Sequence, residues 1–428
     1  MKTNILKMIE QAEVEWKPLG EVAEIYGGLT GKTKNDFENG NAKYLTYKNI
    51  FGNIEVEPNN LETVKVSDNE RQHQVKYGDI LFTGSSEIAE EAGMSSSVTT
   101  RFDEPIYLNS FSFGVRFNQN IEITPEFSKY LFRSHYMRKQ IIKTASGVTR
   151  FNISKEKFKK ILIPIPPLEL QKEIVKRLDI LTELEAALEA ALEAELSLRK
   201  KQYQYYRDLL LTFDDISDRG GYKTNPFFSK DVVWKSLGEV GELIRGNGLT
   251  KKDLLDDGVP AIHYGQIYTH FGTFADKTKS FTSPEIAKKL RKAQYGDVLI
   301  AGTSENVQDV MKPVGWFGDE IVFSGDMFAF RPNEKIMTKY LTYMLQTTAF
   351  AKFKEKHAQG TKVIRISSAN FLNYQIPIPL LETQAKIVAI LDKFDRLTSS
   401  ITDGLPKEIE LRRKQYEYYR ELLLGFGM

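Results

Sequence analysis

The segment "GGLTGKT" at Gly27–Thr33 is similar to a phosphate-binding loop but has a different spacing. Such a loop has four residues between its first glycine and the Gly-Lys pair, so that successive backbone amides surround the phosphates. Here only three residues separate Gly27 from Gly31, and the following "NDFENGN" favours turns over a phosphate-binding helix N-terminus. The segment therefore predicts a glycine-containing turn that exposes Lys32 and Lys34, and no nucleotide site.

Serine and histidine residues form no catalytic constellation in the sequence. The matched segments "GSSE" at Gly84–Glu87 and "GTSE" at Gly302–Glu305 contain serines, but no histidine stands at a matched position to act as their base. The five histidines lack the spacing of metal ligands, and the sequence has no cysteine. Glycine-rich dinucleotide fingerprints and the Asp/Asn-Pro-Pro-aromatic motif of adenine methyltransferases are also absent. We therefore predict a binding protein with no catalytic residue, no metal site and no cofactor of its own.

Composition indicates an ordinary globular protein of two or three domains. The chain has 428 residues, of which 41% are hydrophobic and 27% are charged, and its net charge is +2. The absence of cysteine fits a reducing compartment, and neither a signal peptide nor an apolar run of membrane-spanning length is present. We therefore expect a cytoplasmic protein without a membrane partner. Because the net charge is small, any nucleic-acid binding must depend on local patches or on partner proteins.

The sequence contains one long internal repeat. Between Ile163–Phe213 and Ile376–Phe426 the offset stays at 213 residues without a gap, and about half of the 51 positions are identical. Upstream, matches are short and their offset varies. Examples are "WKPLGEV" and "WKSLGEV" at Trp16 and Trp234, and "YGDILFTGSSE" and "YGDVLIAGTSE" at Tyr77 and Tyr295. A repeat of this length excludes a solenoid and indicates a duplicated unit made of a variable globular part and a length-preserved helical part.

The two parts of each repeat have different secondary-structure patterns. Short β-branched and aromatic runs between glycines predict strands in the globular parts, about 16–160 and 234–374, and each part ends in helical periodicity. After "IPIPP", Leu168–Phe213 predicts one helix about 65 Å long. Its apolar stripe needs a partner, which Leu380–Phe426 can supply. We predict two α/β (α+β) domains, 1–162 and 214–375, and two long antiparallel coiled-coil helices, 163–213 and 376–428, with pseudo-twofold symmetry.

The stretch "LEAALEAALEAEL" inside the first helix repeats leucine every fourth residue. Each four-residue step advances about 6 Å along a helix and about 40° around it. This periodicity is either a spacer whose length is functional or a run of good helix formers without that role. The second copy contains Gly404 and Pro406, which predict a break near Asp403–Pro406. The spacer leucines are Leu184, Leu188, Leu192 and Leu196.

The repeated segment "KKQYQYYRDLLL" combines basic and aromatic residues, a composition that also suits stacking on nucleic acid. At helical spacing, however, tyrosines and a leucine share one face while Arg199 and Lys200 lie on others. This pattern favours packing against the other helix or a partner subunit. The predicted interface residues are Tyr203, Tyr206, Leu210, Tyr416, Tyr419 and Leu423.

The repeated unit "PIPPLELQKEIV…LRKKQYQYYRDLLLTF" resembles the conserved regions of specificity subunits of type I restriction-modification enzymes. "YGDILFTG" at Tyr77–Gly84 and "SGVTRFNIS" at Ser146–Ser154 resemble segments of the target-recognition domains in that family. The resemblance covers nearly the whole chain. It implies a non-catalytic subunit whose two target-recognition domains each bind one half of a bipartite, asymmetric double-stranded DNA target, while the helices set the gap.

The same resemblance implies partners and cofactors. Two modification subunits would bind S-adenosylmethionine and methylate adenine at N6. Two restriction subunits would use ATP and Mg²⁺ to translocate and cleave DNA. Two alternatives remain open from the residues alone: an assembly protein that uses its helices for protein–protein interaction, and a free-standing nuclease, which no matched constellation supports.

DNA contacts are expected from polar and basic residues on loops or strands, because these side chains hydrogen-bond to base edges and phosphates. The matched positions differ between the domains, with Lys48 in one and Gly265 or Gln266 in the other. The alternative for each candidate is a solvated loop residue or a turn former. The candidates are, in the first domain, Lys32, Lys34, Tyr47, Lys48, Ser85, Ser86, Thr149 and Arg150, and in the second, Lys251, Lys252, Tyr264, Gln266, Thr303, Ser304, Lys362 and Arg365.

Overall fold

The computed structural model describes residues 5–213, 225–227, 229, 232–399 and 404–426. These residues form two compact units, one comprising residues 1–189 and 411–428, and the other residues 190–410. We call them the first and second units. Each contains one globular module, the helix start that follows it and the end of the other repeat's helix. The units therefore divide the chain differently from the predicted domains, because helical segments distant in sequence pack against each module.

Among the described residues, the module of the first unit has thirteen strands and six α-helices, and the long helix α7 begins directly after it. Its strands are β1 Glu15–Pro18, β2 Ala23–Gly27, β3 Ala42–Leu45, β4 Glu62–Val64, β5 Gln74–Val75, β6 Ile80–Thr83, β7 Ser85–Ser86, β8 Ser95–Ser97, β9 Ile106–Leu108, β10 Ser112–Phe117, β11 Ala145–Ser146, β12 Phe151–Ile153 and β13 Leu162–Ile165. The helices are α1 Ile5–Gln11, α2 Leu19–Val22, α3 Tyr47–Gly52, α4 Pro125–Leu131, α5 His135–Ile142, α6 Lys155–Phe158 and α7 Leu168–Leu210.

The second repeat adds thirteen strands and eight helices among the described residues. The strands are β14 Val233–Ser236, β15 Gly241–Arg245, β16 Val259–Ile262, β17 Phe274–Ala275, β18 Ser280–Thr282, β19 Lys292–Ala293, β20 Val298–Ala301, β21 Thr303–Ser304, β22 Pro313–Trp316, β23 Ile321–Phe323, β24 Met327–Pro332, β25 Ile364–Arg365 and β26 Gln375–Ile378. The helices are α8 Leu237–Val240, α9 Tyr264–Thr269, α10 Pro284–Ala287, α11 Thr338–Met344, α12 Thr348–His357, α13 Ser368–Leu372, α14 Leu381–Ser399 and α15 Leu405–Leu424.

The two main sheets of each module have matching strand orders, apart from the additional edge strand β17 in the second module. A sheet of order β2-β10-β6-β8 corresponds to β15-β24-β20-β22-β17, and β4-β3-β9-β5 corresponds to β18-β16-β23-β19. In the second pair of sheets, β3–β9 and β16–β23 are the parallel pairs. The first strand of each module pairs with its last, β1 with β13 and β14 with β26, so the chain enters and leaves at one place. The mixed α/β prediction and the internal repeat are confirmed at the level of strand order.

A buried glutamine attaches each long helix to its module. Gln171, in the repeated "LELQ" and "LETQ" segments, accepts a hydrogen bond from the Thr124 amide and donates to the carbonyl oxygens of Glu122 and Pro166. Gln384 accepts from the Met337 amide and donates to two carbonyl oxygens in the same way. Both side chains are fully buried, so each amide satisfies backbone groups that water cannot reach.

Both units contain an apolar core that includes segments of both long helices. In the first unit, Leu423, Leu424 and Phe426 join the core formed by the start of α7. Thr182 and Tyr416 are joined through their hydroxyls at 2.8 Å, and Arg413 pairs with Glu189. The contact partner on α15 changes from residue 416 to residue 413 as the position on α7 moves from residue 182 to residue 189. The two helices are therefore antiparallel in this unit. In the second unit, the end of α7 packs in a core that includes Ile387, Val388 and Leu391 of α14.

The second long helix is interrupted, as the sequence predicted. Gly404 lies in a bend, and α15 begins at Leu405 with Pro406 in its first turn, where a missing backbone N–H is tolerated. Asp403 is outside the described residues. By contrast, α7 is continuous over 43 residues. No helix among the described residues is long and apolar enough to span a membrane.

Candidate nucleic-acid interface

A β-hairpin beside the two-residue strand β7 forms an exposed polar surface of the first module. Strand β12 pairs with both β11 and β7, and Asn152 lies opposite Ser85. The hairpin turn needs a glycine, because Gly147 has φ of +144° and a Cβ there would lie 1.9 Å from the Arg150 carbonyl oxygen. The turn presents Val148 with 91% of its surface exposed, followed by exposed Thr149 and Arg150.

Four predicted residues of this module meet around the hairpin. The Tyr47 hydroxyl donates to the Ser85 carbonyl oxygen at 2.9 Å, and Arg150 Nε donates to Ser85 Oγ at 3.0 Å. Tyr47 is the first residue of α3, whose N-cap is Thr46, so the adjacent Lys48 is exposed on the same helix start. The structure thus brings Tyr47, Ser85 and Arg150 together, with Thr149 beside Arg150 in the exposed turn. We call these four residues the first hairpin cluster.

The second module builds the same arrangement. Strand β25 pairs with β21, with Arg365 opposite Thr303, which makes Arg365 the counterpart of Asn152. Gly360 has φ of +104°, and a Cβ there would lie 2.2 Å from the Val363 carbonyl oxygen. Lys362 is exposed at this turn. We call this arrangement the second hairpin cluster.

The tyrosine of the second hairpin cluster is not the one that the sequence indicated. Tyr268 donates to the Thr303 carbonyl oxygen, as Tyr47 does to Ser85, whereas the predicted Tyr264 lies at the start of α9. In α9, the residue that contacts strand β21 is Tyr268, one helical turn beyond Tyr264. Burial raises the pKa of Tyr268, so its hydroxyl remains a donor.

Residues of the short helices α3 and α9 can be matched by counting from the N-cap residue of each helix. His263 caps α9 as Thr46 caps α3, which makes Gly265 the counterpart of Lys48. Burial lowers the pKa of His263 and favours the neutral ring, whose Nδ1 accepts from the Gly265 amide at 3.3 Å. Gln266 accepts from the His263 amide and donates to Ser280 Oγ, so both ends of its amide are used inside the module.

Several other candidates have internal partners. Lys32 donates to the Lys65 carbonyl oxygen at 2.6 Å and pairs with Glu70, and only 4% of its side chain is exposed. Hydrogen bonding from Lys32 is the main cause that lowers the pKa of Glu70 to about 2. The predicted exposure of Lys32 is therefore wrong. The strand residues Ser85, Ser86, Thr303 and Ser304 are buried, whereas Lys34, Lys48, Lys251, Lys252 and Lys362 are exposed.

An exposed aromatic residue in the first module was not among the predicted contacts. Phe111, in the loop between β9 and β10, is 62% exposed, and Arg150 Cζ lies 5.4 Å from the centre of its ring. The carbonyl oxygen of Phe111 accepts from the Gly84 amide, and that of Asp326 accepts from the Gly302 amide. Phe111 and Asp326 are therefore counterparts. Their sequences are unrelated and their offset is not 213, so the repeat pattern could not pair them.

The repeated helix segments divide into buried and exposed residues. Tyr203, Leu210 and Leu423 are buried within the chain, and Tyr416 is hydrogen-bonded to Thr182. Tyr206 stacks on Phe394 with 5.4 Å between ring centres, while Tyr419 remains 41% exposed. Packing inside the chain thus uses part of the predicted subunit interface, and Tyr419 has the most exposed ring among the six predicted positions.

None of the four spacer leucines is fully buried. Leu184 and Leu188 are 60% and 40% exposed, and Leu192 and Leu196 are half-buried. The spacer stretch therefore contributes little to a core.

Among the described residues, no group of three or more His, Asp or Glu side chains could hold a metal ion.

Comparison with known proteins identifies relatives along the chain. The family model described as type I restriction modification DNA specificity domain matches residues 12–198 and 229–411, one match for each repeat. The chain is 31% identical, over 100% of its length and 99% of the relative, to a putative type I restriction enzyme specificity subunit of Haemophilus influenzae. It is 36% identical, over 64% of its length and 65% of the relative, to the EcoR124I/EcoR124II specificity subunit of Escherichia coli.

Solved structures have the same fold. One is a chain from a study of complex assembly and conformational transition of the type I R-M system, with a TM-score of 0.69, 18% identity and coverage of 96% of this chain and 98% of that chain. Another is the HsdS subunit from Thermoanaerobacter tengcongensis, with a TM-score of 0.57, 19% identity and coverage of 98% of both chains.

Proposed function

Since the chain belongs to the type I restriction-modification DNA specificity family, we propose that it is the sequence-specificity subunit of a type I restriction-modification complex. Each module binds one half of a bipartite, asymmetric target in double-stranded DNA. The long helices set the gap between the halves and dock the modification subunits.

One observation carries this proposal: the same scaffold is built twice with different exposed side chains. Both hairpins start at a positive-φ glycine and flank a two-residue strand. At counterpart positions, however, the first module has Phe111 and Asn152 where the second has Asp326 and Arg365. A scaffold that keeps its backbone and varies its surface polar groups is suited to hydrogen-bonding different base edges. Two such modules support a target whose halves differ.

The helical segments support the docking and spacing roles. The repeated "LRKKQYQYY" and "LRRKQYEYY" segments leave Leu198 and Tyr205 exposed in one copy, and Leu411 and Tyr418 exposed in the other. Because these pairs are at the same offset of 213, we propose that they serve two equivalent modification subunits. The exposed leucines at Leu184 and Leu188 support a spacer, since a change in its length would remove little buried surface.

We assign no chemical step to this chain. The proposed complex obtains S-adenosylmethionine binding and adenine methylation from its two modification subunits. ATP hydrolysis with Mg²⁺, translocation and cleavage come from two restriction subunits. We propose that the complex acts on DNA in the cytoplasm.

Selection from a randomised DNA duplex by the full-length chain, assembled with its modification subunits, tests the proposal. We expect two conserved half-sites separated by a fixed number of unspecified base pairs. Enrichment without any sequence preference would contradict the proposal and would favour an assembly protein. The modification subunits alone, on the same library, serve as the control for sequence preference that does not come from this chain.

A further inference from the structure

Phe111 is held in an exposed position by several hydrogen bonds. Asn109 Oδ1 accepts from the Phe111 amide at 3.0 Å and from Ser112 Oγ at 3.1 Å, and Asn109 Nδ2 donates to the Leu45 carbonyl oxygen. The Gly84 amide donates to the Phe111 carbonyl oxygen at 2.7 Å. The loop is thus fixed on both sides of an aromatic ring that is 62% exposed. Such exposure leaves apolar surface in water, which favours covering by a ligand.

Arg150 lies over this ring with part of its guanidinium unused. Its Nε donates to Ser85 Oγ, and its Cζ is 5.4 Å from the ring centre. Within the part of the chain that the structure describes, the two terminal nitrogens of Arg150 make no hydrogen bond. The ring limits the orientation of the guanidinium plane through a cation–π contact, and the Ser85 bond fixes its near edge. The outer edge therefore presents two parallel donors in a fixed direction.

The second module lacks both members of this pair. Asp326 is the counterpart of Phe111, and Val363 stands at the offset of 213 from Arg150 in the corresponding hairpin turn. The pair is therefore a property of the first module, as a determinant for one half-site must be.

Resting on the proposed function, we propose that Arg150 binds a guanine in the half-site of the first module, and that Phe111 is the residue that positions it. The two outer nitrogens of Arg150 donate to guanine O6 and N7 in the major groove, the arrangement in which arginine distinguishes guanine from the other bases. Phe111 restricts the guanidinium plane to this geometry. The second half-site is read without this pair.

The experiment uses the full-length chain with its modification subunits and the DNA target that they select. Each guanine of the first half-site is replaced in turn by 7-deazaguanine, which lacks the N7 acceptor. For the unsubstituted protein, one such position is expected to weaken binding about tenfold. In Arg150→Ala the same replacement has no effect, and selection at that position is relaxed. Phe111→Ala loses most of the discrimination, and Phe111→Tyr, which keeps the ring, restores it.

The outcomes separate this inference from the proposed function. If the unsubstituted protein selects no split target, both fail. If it selects one but Arg150→Ala keeps full discrimination at every guanine, only the inference fails. Equal behaviour of Phe111→Ala and Phe111→Tyr would overturn the positioning role. Unchanged selection of the second half-site in every variant shows that the chain is folded and assembled.

Discussion

The hydroxyl of Tyr343 donates a 2.7 Å hydrogen bond to Asp392 Oδ1, which joins α11 of the second module to the long helix that follows it. In the first unit, Tyr130 donates to Asp179 Oδ1 at the same distance. Both tyrosines and both aspartates are related by the offset of 213 that runs through the helical repeat. Each module is therefore fixed to the start of its own helix by the same polar contact, in addition to the apolar core.

Removal of the Tyr343 hydroxyl should destabilise the second unit. Tyr343 is fully buried, so Tyr343→Phe removes a hydrogen bond from a buried hydroxyl to the carboxylate of Asp392. We expect the free energy of unfolding to fall by about 1.5 kcal/mol, measured by urea denaturation. Tyr295→Phe is the control, because Tyr295 is 69% exposed and its hydroxyl bonds to no described residue. Equal effects of the two substitutions would contradict a structural role for the Tyr343 bond.

Asp395, one turn beyond Asp392 on α14, gives the second unit a distinctive pH dependence. Burial is the main cause that raises the pKa of Asp395, and the charge of Asp392 adds to the effect. Hydrogen bonds from Thr273 and Ser399 and the charge of Lys339 oppose it. Because the pKa of Asp395 is higher in the folded state than in the unfolded state, the folded protein retains the proton over the pH window between the two pKa values. Stability is therefore highest below the window and falls as the pH rises through it.

The variant Asp395→Asn should lack this fall in stability. Its amide oxygen still accepts from the Thr273 hydroxyl but carries no charge at any pH. We expect Asp395→Asn to be more stable than the unsubstituted protein at neutral pH and equal to it in acid, as measured by denaturation in a series of buffers. Asp256→Asn, at an exposed position of the same unit, should keep the original profile. A profile for Asp395→Asn that parallels the unsubstituted protein would disprove the argument.

The hairpin glycines should be required for recognition by their own module. Gly147→Ala places a Cβ 1.9 Å from a carbonyl oxygen in a left-handed turn, which costs about 1–3 kcal/mol and displaces Arg150. We expect weaker selection of the first half-site and unchanged selection of the second. Gly52→Ala is the matched control, since nothing lies within 4 Å of its Cβ position. Loss of both half-sites would indicate general unfolding instead of a local effect.

Tyr419 provides the sharpest test of the predicted partner interface. Its ring is 41% exposed, whereas Tyr206 is partly engaged by Phe394. A carboxylate at an apolar interface is costly, so Tyr419→Asp should reduce co-purification with the modification subunits while the melting temperature of the chain changes little. Normal co-purification would remove Tyr419 from the interface.

The sequence predicted those features that depend on local pattern and on the repeat. The gapless repeat at an offset of 213 identified the two long helical segments, and helix-breaking residues located the interruption at Gly404. The remaining features of the candidate interface depend on contacts between segments that are distant in sequence. The internal pairing of Lys32 with Glu70 needs two segments that approach only in the fold. The equivalence of Phe111 and Asp326 depends on backbone hydrogen bonds between loops with unrelated sequences.

Insertion of one Leu-Glu-Ala-Ala unit after Ala187 tests the central claim, that two modules bind two half-sites at a distance set by the helices. The inserted turn adds about 6 Å, close to the rise of two base pairs, and rotates the following helix by about 40°. The measurement is the DNA selected from a randomised duplex by the variant chain with its modification subunits. We predict the same two half-sites separated by a longer gap. The original gap, kept unchanged by a folded and assembled variant, would contradict the account.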